Sequence, residues 1–303
     1  MRIALVAAFS FSYCLFAVAC ISTGPTAGSI EAGKYSAIMV TSDLAVGTNR
    51  VSFGLVGMEG NPIQADAVNV KSVYFPPEQQ NGIIKEEVTA QFVQWPPYDG
   101  SKGVFVTELY FDVKGPATVK DPGLWGIEIS ALTDDGTRIE ARSALTVNEF
   151  SKTPGIGDMA PSSITPTLLD VGELARITSD LEPDPDLYQV SIAEAIGDDK
   201  AAVIVFSTPA FCVSATCGPQ LDIVKNIKNA YPDIHVIHVE AFQDPHLIKE
   251  GVISLEPVYT MEEWGLITEP WTFIVDVDGR VRAKFEQFVT EDEIRIALEE
   301  VLS

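Results

Sequence analysis

Residues 206–219 read FSTPAFCVSATCGP, and this stretch holds two cysteines, Cys212 and Cys217, with four residues between them. The apolar run AAVIVFST (201–208) leads into it and is typical of a buried strand. A helix is expected to begin near Pro219, because proline is favoured in the first turn of a helix. The stretch therefore predicts a strand joined to a helix, with both thiols in the connection.

Strand and helix patterns alternate on both sides of this stretch. Short and long helices are predicted where apolar residues recur at helical spacing, and strands where they are continuous or alternate. A tight Asp-Gly turn predicts a hairpin. The segments are SIAEAI (191–196, helix), PQLDIVKNIKNAY (219–231, helix), IHVIHVEAF (234–242, strand), TFIVDVDGRVRAKFE (272–286, hairpin) and EDEIRIALEEVL (291–302, helix).

This order of elements resembles the thioredoxin-like α/β domain of extracytoplasmic thiol–disulfide oxidoreductases. Three pieces carry the resemblance: the cysteine pair between a strand and a helix, the segment WGLITEPWTFIVDVDGRV (264–281), and the final amphipathic helix. The resemblance implies that Pro270 is a cis-proline that faces the disulfide. A cis bond before proline costs little compared with any other cis peptide bond.

The resemblance also implies roles for the thiols. Cys212, which follows Phe211, would be the attacking thiol, and Cys217 the resolving one. The helix dipole argues for Cys217, because a thiolate is stabilised at a helix N-terminus. The family usually has two residues between its cysteines, so the four residues 213–216 must form an irregular loop if the sulfurs are to meet. The alternative is an inert disulfide, or two idle thiols, on a scaffold used for binding.

Charged residues are predicted to support this pair. Glu269 precedes the expected cis-proline, and a carboxylate buried beside a thiol would raise the pKa of that thiol. His238 and Glu240 share one face of a predicted strand, and the histidine would act as a base or ion-pair partner if it reached a thiol. The alternative for His238 is a half-buried strand residue. Nothing in the sequence indicates a zinc site or a phosphate loop, so no metal and no cofactor are predicted.

Residues 35–148 show short alternating runs separated by turn residues, which predicts an antiparallel β-sandwich. In VFVTELYFDV (104–113), Val104 and Val106 are predicted to share the buried face. DLAVGTNRVSFGLVGMEGNPI and GLWGIEISALTDDG resemble the immunoglobulin-like modules of bacterial surface and copper-resistance proteins. That resemblance concerns fold and not activity. Trp95, beside two prolines, is predicted to pack in a loop.

Residues 149–188 are rich in proline, serine and acidic residues, as in a linker. The piece PGIGDMAP (154–161) resembles the segment that precedes the first strand of thioredoxin-like thiol proteins and peroxiredoxins. We therefore expect the linker to lie along the second domain, which is predicted to span residues 189–303.

The chain begins MRIALVAAFSFSYCLFAVACIS, with one arginine, an apolar stretch and then small residues. This layout predicts a secretory signal. The residues up to Cys20 resemble the lipobox of bacterial lipoproteins, although its usual leucine is missing. The resemblance implies that residues 1–19 are removed, that Cys20 carries the lipid anchor, and that residues 20–34 form a tether. A plain signal peptide and an uncleaved anchor are the alternatives.

The number and placement of the cysteines then favour a reactive disulfide over a purely structural one. Cys14 lies in the segment predicted to be removed and Cys20 would be lipidated, so only Cys212 and Cys217 remain, in a compartment that permits disulfides. A disulfide across so short a loop contributes little through chain entropy. The net charge of −23 argues against nucleic acid as a partner and against electrostatic docking on anionic lipid.

The sequence therefore predicts a thiol–disulfide oxidoreductase, lipid-anchored on the extracytoplasmic face of a bacterial membrane, that acts on a protein thiol or disulfide. A peroxiredoxin-like antioxidant is one alternative, although its Thr and Pro positions hold Pro209 and Val205 here. A copper-binding thioredoxin-like protein is another, but no histidine follows His246. A non-enzymatic surface binding module is the third.

Overall fold

The computed structural model describes residues 33–63, 65–77, 81–96, 98–100, 102–116, 123–132 and 136–303. The predicted signal segment, Cys14, Cys20 and nearly all of the predicted tether lie outside these residues. Within the described ranges, every helix is too short or too polar to cross a lipid bilayer.

Seven strands in the first half of the chain form one antiparallel sheet. Two further short strands, β2 and β9, pair in parallel beside it. The order in the sheet is β1-β3-β6-β5-β4-β7-β8, and the outermost strands β1 and β8 contact each other, so the sheet curls around its own core. The strands are β1 (Tyr35–Met39), β2 (Leu44–Ala45), β3 (Gly47–Gly57), β4 (Ala67–Phe75), β5 (Ile83–Gln94), β6 (Gly103–Phe111), β7 (Leu124–Leu132), β8 (Arg138–Leu145) and β9 (Val147–Asn148).

Aromatic side chains fill the interior of this sheet. Trp125 is fully buried, packs edge-on against Phe111, and donates its indole N–H to the Val113 carbonyl oxygen at 2.8 Å. The face of β6 that points inward carries Phe105 as well as Phe111, whereas Val106 is only half-buried on the opposite face. Val104 is buried as predicted, but the predicted burial of Val106 is wrong. Both alternating sets of β6 are partly apolar, and the set with the larger aromatic side chains gains more from burial.

The second half of the chain forms a four-stranded sheet in the order β11-β10-β12-β13. Strands β10 and β11 are parallel, and β12 and β13 run antiparallel to their neighbours. This topology confirms the thioredoxin-like prediction for the second half. The elements are α1 (Leu168–Val171), α2 (Ile192–Ile196), β10 (Ala202–Ser207), α3 (Cys217–Ala230), β11 (His235–Glu240), α4 (Pro245–Lys249), α5 (Tyr259–Glu263), β12 (Trp271–Val275), β13 (Val281–Glu286) and α6 (Glu291–Leu302).

The central strand β10 is buried on both faces, which explains its continuous apolar sequence. Val203 and Val205 face α3 and α6, where they meet residues such as Leu221. Ile204 and Phe206 face the other side, with α2 and α5. Because both faces are covered, the end of β10 is the point where the chain leaves the core and brings Cys212 towards the surface.

The segment between the two halves lies along the second sheet. The Gly157 N–H bonds the Val281 carbonyl at 2.8 Å, and the Ala160 N–H bonds the Gly279 carbonyl at 2.9 Å. Gly265 allows a close approach of this segment, because a Cβ at that position would lie 2.3 Å from the Lys152 carbonyl oxygen. Its φ of +65° also favours glycine.

Polar contacts join the two halves. Both carboxylate oxygens of Glu286 accept hydrogen bonds from Ser42, one from its N–H and one from its hydroxyl, each at 2.6 Å. The Arg50 guanidinium pairs with Glu293 of α6 at 2.7 Å. Trp95, predicted to pack in a loop, lies against Phe288 of the second half, with ring centroids 5.7 Å apart.

Candidate functional site

A disulfide joins Cys212 and Cys217, whose Cα atoms are 6.0 Å apart. Cys212 lies in the loop after β10, residues 208–216, which we call the thiol loop. Cys217 is the first residue of α3. The loop between them is irregular, with Ala215 at a φ of +59° in the left-handed region. That turn is what lets two sulfurs five positions apart come together, since a regular helix would place them on different faces.

The two cysteines differ in exposure. Cys217 is completely buried, with 0% of its surface exposed, whereas Cys212 and the preceding Phe211 are half-buried. The Cys212 sulfur also lies 3.2 Å from the Ser214 hydroxyl oxygen. An incoming protein chain would therefore meet Cys212 before Cys217.

A second loop, residues 264–270 between α5 and β12, lies beside the disulfide, and we call it the proline loop. The peptide bond between Glu269 and Pro270 is cis, and β12 begins at the next residue, paired with the end of β10 through Trp271 and Phe206. The pairing brings this loop to the sheet edge from which the thiol loop emerges. A carboxylate oxygen of Glu269 lies within 4.8 Å of both sulfurs.

Glu269 has an unusual setting for an acidic side chain. It is half-buried, and its carboxylate makes no hydrogen bond or ion pair with any residue that the structure describes. Burial raises the pKa of Glu269 above its usual range. A negative charge here disfavours a thiolate on the neighbouring sulfurs.

Gln287 connects the thiol loop to the proline loop, and the sequence analysis did not identify it. Its side-chain amide donates to the Glu269 carbonyl at 2.7 Å, and its amide oxygen accepts from the Thr216 hydroxyl at 3.2 Å. Its own N–H bonds the Pro270 carbonyl at 2.7 Å. The hairpin register, which pairs Trp271 with Glu286, was a signal that could have placed Gln287 opposite the proline.

Replacing Gln287 by alanine is expected to lower the free energy of unfolding by about 1–2 kcal/mol, because two partly buried hydrogen bonds are lost. Urea denaturation of the oxidised protein measures this change. Gln189→Ala is the matched control, because Gln189 makes one amide-to-carbonyl bond on an exposed surface. The control is expected to change stability by less than about 0.5 kcal/mol. Equal effects of the two substitutions would contradict a linking role for Gln287.

His238 does not contact the thiols. Its ring nitrogens bond the Tyr188 hydroxyl at 2.6 Å and the Ser207 hydroxyl at 2.9 Å, and neither bonds a cysteine. Burial lowers the pKa of His238 to about 4, so the ring is neutral at physiological pH. The contacts of His238 therefore do not support the predicted role as a base or ion-pair partner of a thiol. The alternative was a half-buried strand residue, but His238 is buried more deeply than that, with only 4% of its surface exposed.

Glu240 belongs to the same buried region as His238. One carboxylate oxygen accepts from the Ser179 N–H at 2.6 Å, and burial raises the pKa of Glu240. Ser179 in turn accepts from the Ala210 N–H at 3.1 Å, so this region bonds the backbone of the thiol loop. The structure thus brings Cys212 and Cys217 together with the proline loop, whereas Glu240 reaches the backbone of the thiol loop only through Ser179.

No protein-family model matches the chain, and no curated protein matches it. Solved structures do match. A thiol:disulfide interchange protein of the thioredoxin family from Chlorobium tepidum is 16% identical, with a TM-score of 0.32, over 49% of this chain and 99% of that chain.

Two further solved structures show the same kind of match. StoA from Bacillus subtilis is 16% identical, with a TM-score of 0.29, over 40% of this chain and 94% of that chain. The pneumococcal exposed lipoprotein thioredoxin Etrx1 from Streptococcus pneumoniae is 19% identical, with a TM-score of 0.28, over 34% of this chain and 86% of that chain. These matches are distant, and the fold assignment rests on the strand order described above.

Proposed function

We propose that the second half of the chain is a thiol–disulfide oxidoreductase that acts on protein thiols or disulfides. The observation that carries the proposal is the Cys212–Cys217 disulfide, held between a sheet edge and a helix N-terminus beside the cis Pro270 loop. A disulfide that only stapled the fold would join distant segments, whereas this one closes a loop of a few residues. Its partial exposure at Cys212 gives a substrate access to one sulfur.

The greater exposure of Cys212 supports it as the attacking thiol. The Cys212 thiolate attacks one sulfur of a substrate disulfide, forms a mixed disulfide and releases the first substrate thiolate. The Cys217 thiolate then attacks the Cys212 sulfur, closes the intramolecular disulfide and releases the second substrate thiolate. Two electrons pass from the cysteine pair to the substrate, whose two thiolates take protons from solvent. The oxidised pair runs the same steps in reverse on a dithiol substrate.

Two neighbouring groups act on these steps in opposite directions. The N-terminus of α3 stabilises a thiolate on Cys217, its first residue. The Glu269 carboxylate disfavours a thiolate, because it is a like charge in a partly desolvated site. The Glu269 carbonyl is occupied by the Gln287 amide, so this atom is not free to bond a substrate chain.

An exchange assay tests the proposal. The full chain is expected to accelerate the reduction of insulin by dithiothreitol, or the oxidation of a reduced model protein in glutathione buffer. The double variant Cys212→Ala/Cys217→Ala, whose folding is verified by thermal unfolding, is expected to show only the uncatalysed rate. If the reduced wild-type protein is as slow as this variant in both directions, the chain is a non-enzymatic binding module instead.

We further propose that the first half, residues 35–148, is an immunoglobulin-like sandwich. The strand pairing supports it: the backbone of β5 pairs with that of β6 between Gln91–Gln94 and Gly103–Val106, at one end of each strand. We take that short ladder as the corner at which the one seven-stranded sheet bends into two parts, β1-β3-β6 and β5-β4-β7-β8. Two sheets packed face to face around a shared core are the architecture of such modules.

The remaining proposals rest on the sequence. We propose that residues 1–19 are a lipoprotein signal, that Cys20 is the lipid anchor, and that residues 20–34 are a tether. The site would then work on the extracytoplasmic face of a bacterial membrane, where disulfides persist. Residues 149–188 would connect the sandwich to the thioredoxin-like domain at 189–303.

A further inference from the structure

The disulfide and Glu269 form a cluster of potential metal ligands. Among the described residues, Cys212, Cys217 and Glu269 are the one group of three His, Cys, Asp or Glu side chains whose ligand atoms all lie within 4.8 Å of one another. They come from the thiol loop, the start of α3 and the proline loop. No metal site is predicted from the sequence, in which Glu269 lies far along the chain from the cysteines.

The carboxylate in this cluster is not neutralised by any cationic side chain among the described residues. Glu269 makes no ion pair or hydrogen bond with described residues, although it is half-buried. A carboxylate that leaves water without a partner is disfavoured. A bound cation would satisfy it, and the two sulfurs are the other ligand atoms within reach.

Reduction of the disulfide would give the cluster a suitable shape. In a tetrahedral zinc site with Zn–S bonds of about 2.3 Å, two sulfurs lie roughly 3.8 Å apart. That separation is close to the contact distance of two sulfur atoms that are no longer bonded. The Cα atoms of Cys212 and Cys217 are 6.0 Å apart, so the side chains reach this separation by small rotations.

We propose that the reduced protein binds one Zn²⁺ through the thiolates of Cys212 and Cys217 and the carboxylate of Glu269. The fourth position faces the partly exposed side of Cys212 and takes water or a substrate thiolate. Zinc accepts sulfur and oxygen ligands together in tetrahedral sites. Cu(I) prefers sulfur alone, and Mg²⁺ or Ca²⁺ prefer oxygen alone, so the mixed set selects zinc.

Zinc binding would make the metal state and the redox state of the pair exclude each other. When the zinc form meets a substrate disulfide, the two cysteine sulfurs give two electrons to the substrate and form the Cys212–Cys217 bond. The products are two substrate thiols, which take two protons from solvent, and free Zn²⁺, which keeps its charge. Zinc would therefore protect the thiols from oxidation, and oxidation would release zinc. This goes beyond exchange itself, and needs only that the pair can be reduced.

Metal competition tests the proposal on the full chain. The protein is reduced, freed of metal under anaerobic conditions, and titrated with Zn²⁺ in the presence of a chromophoric chelator. One equivalent is expected to bind with a Kd below about 1 μM, as structural thiolate sites do. The disulfide form is expected to bind none at this site, and Cys212→Ala or Cys217→Ala to bind at least about 100-fold more weakly.

Glu269→Gln is the decisive variant. It keeps the size of the side chain and is expected to weaken zinc binding at least about tenfold through loss of an anionic ligand. Glu263→Gln is the matched control, because Glu263 is an exposed acid on α5. Thermal unfolding of each oxidised variant verifies that it is folded.

Three results would overturn the proposal: reduced wild-type protein that does not compete with the chelator, a Glu269→Gln affinity equal to that of the control, or Cu(I) binding that displaces zinc and is insensitive to Glu269. The exchange assay is run in parallel with a chelator present. Turnover without zinc binding would contradict the zinc site and support the proposed thiol–disulfide exchange. Zinc binding without turnover does the reverse.

Discussion

Replacing Cys217 by serine is expected to trap a mixed disulfide between Cys212 and a substrate protein. Exchange turnover is expected to fall by roughly three orders of magnitude, because a serine hydroxyl cannot resolve this intermediate as a thiolate does. The physical reason is the difference in burial: Cys212 is half-buried and can be reached, whereas Cys217 has no exposed surface. A model protein disulfide is mixed with the reduced variant, and the adduct is measured by non-reducing electrophoresis and mass spectrometry.

Cys212→Ser is the paired control. It is expected to lose turnover to the same degree and to form no adduct, because the remaining thiol at Cys217 is buried. If the adduct instead accumulates on Cys217 in this variant and is missing from Cys217→Ser, the roles are reversed. That outcome would mean that thiolate stabilisation at the helix N-terminus outweighs exposure.

Asp43→Ala is expected to lower the free energy of unfolding by about 3–5 kcal/mol, the usual cost of removing one partner of a buried ion pair. Asp43 is 7% exposed and accepts hydrogen bonds from the N–H groups of Lys152 and Thr153, at 3.0 and 3.1 Å. Its carboxylate also pairs with the Lys284 ammonium at 3.2 Å and accepts from the Ser151 hydroxyl. The substitution leaves the partly buried Lys284 ammonium without its counter-charge, and two backbone N–H donors without their acceptor.

Chemical denaturation measures this loss, with Asp233→Ala as the matched control. Asp233 is exposed, and its removal is expected to change stability by less than about 0.5 kcal/mol. A loss at Asp43 no larger than at Asp233 would show that the carboxylate does not hold the two halves together.

The same carboxylate gives a pH dependence with a definite sign. Burial alone would raise the pKa of Asp43, but the Lys152 N–H, the Ser151 hydroxyl and the Lys284 ammonium together lower it from 3.8 to about 2. A carboxyl group whose pKa is lowered by folding stabilises the fold at pH values above its unfolded-state pKa. This stabilisation is lost as the pH falls through the folded-state pKa. About 2 kcal/mol of stability is therefore expected to disappear between about pH 4 and pH 2. Asp43→Asn is expected to lack this component, and parallel pH profiles of the two proteins would contradict it.

The interface that Asp43 belongs to also reaches the thiol site. Ser42, the preceding residue, bonds both carboxylate oxygens of Glu286, and the same carboxylate accepts from the Thr268 hydroxyl at 2.8 Å. Thr268 precedes Glu269, and Gln287 follows Glu286. Ser42 of the first half therefore bonds the residue before Gln287, and that residue bonds the one before Glu269, which gives the first half of the chain a physical path to the proline loop.

Much of the second half follows from local sequence. The apolar run of β10, the helical spacing of α3 and the Asp-Gly hairpin each depend on residues close in the chain, and the strand order confirms the fold they predict. The prediction was only partly right at β6, where Val104 is buried but Val106 is half-buried on the face opposite Phe105. Both sets of that strand are apolar enough to be buried, so its pattern alone did not decide between them.

By itself the sequence determined the succession of strands and helices, the place of the thiols between them and the position of the proline, because backbone preference and apolar periodicity act between near neighbours. Only the tertiary structure decided which distant side chains meet. It bonded Gln287 to the thiol and proline loops, brought Glu269 to both sulfurs, and occupied His238 with Tyr188 and Ser207. Such contacts depend on how complete sheets and helices pack, and packing joins residues whose separation along the chain carries no periodic signal.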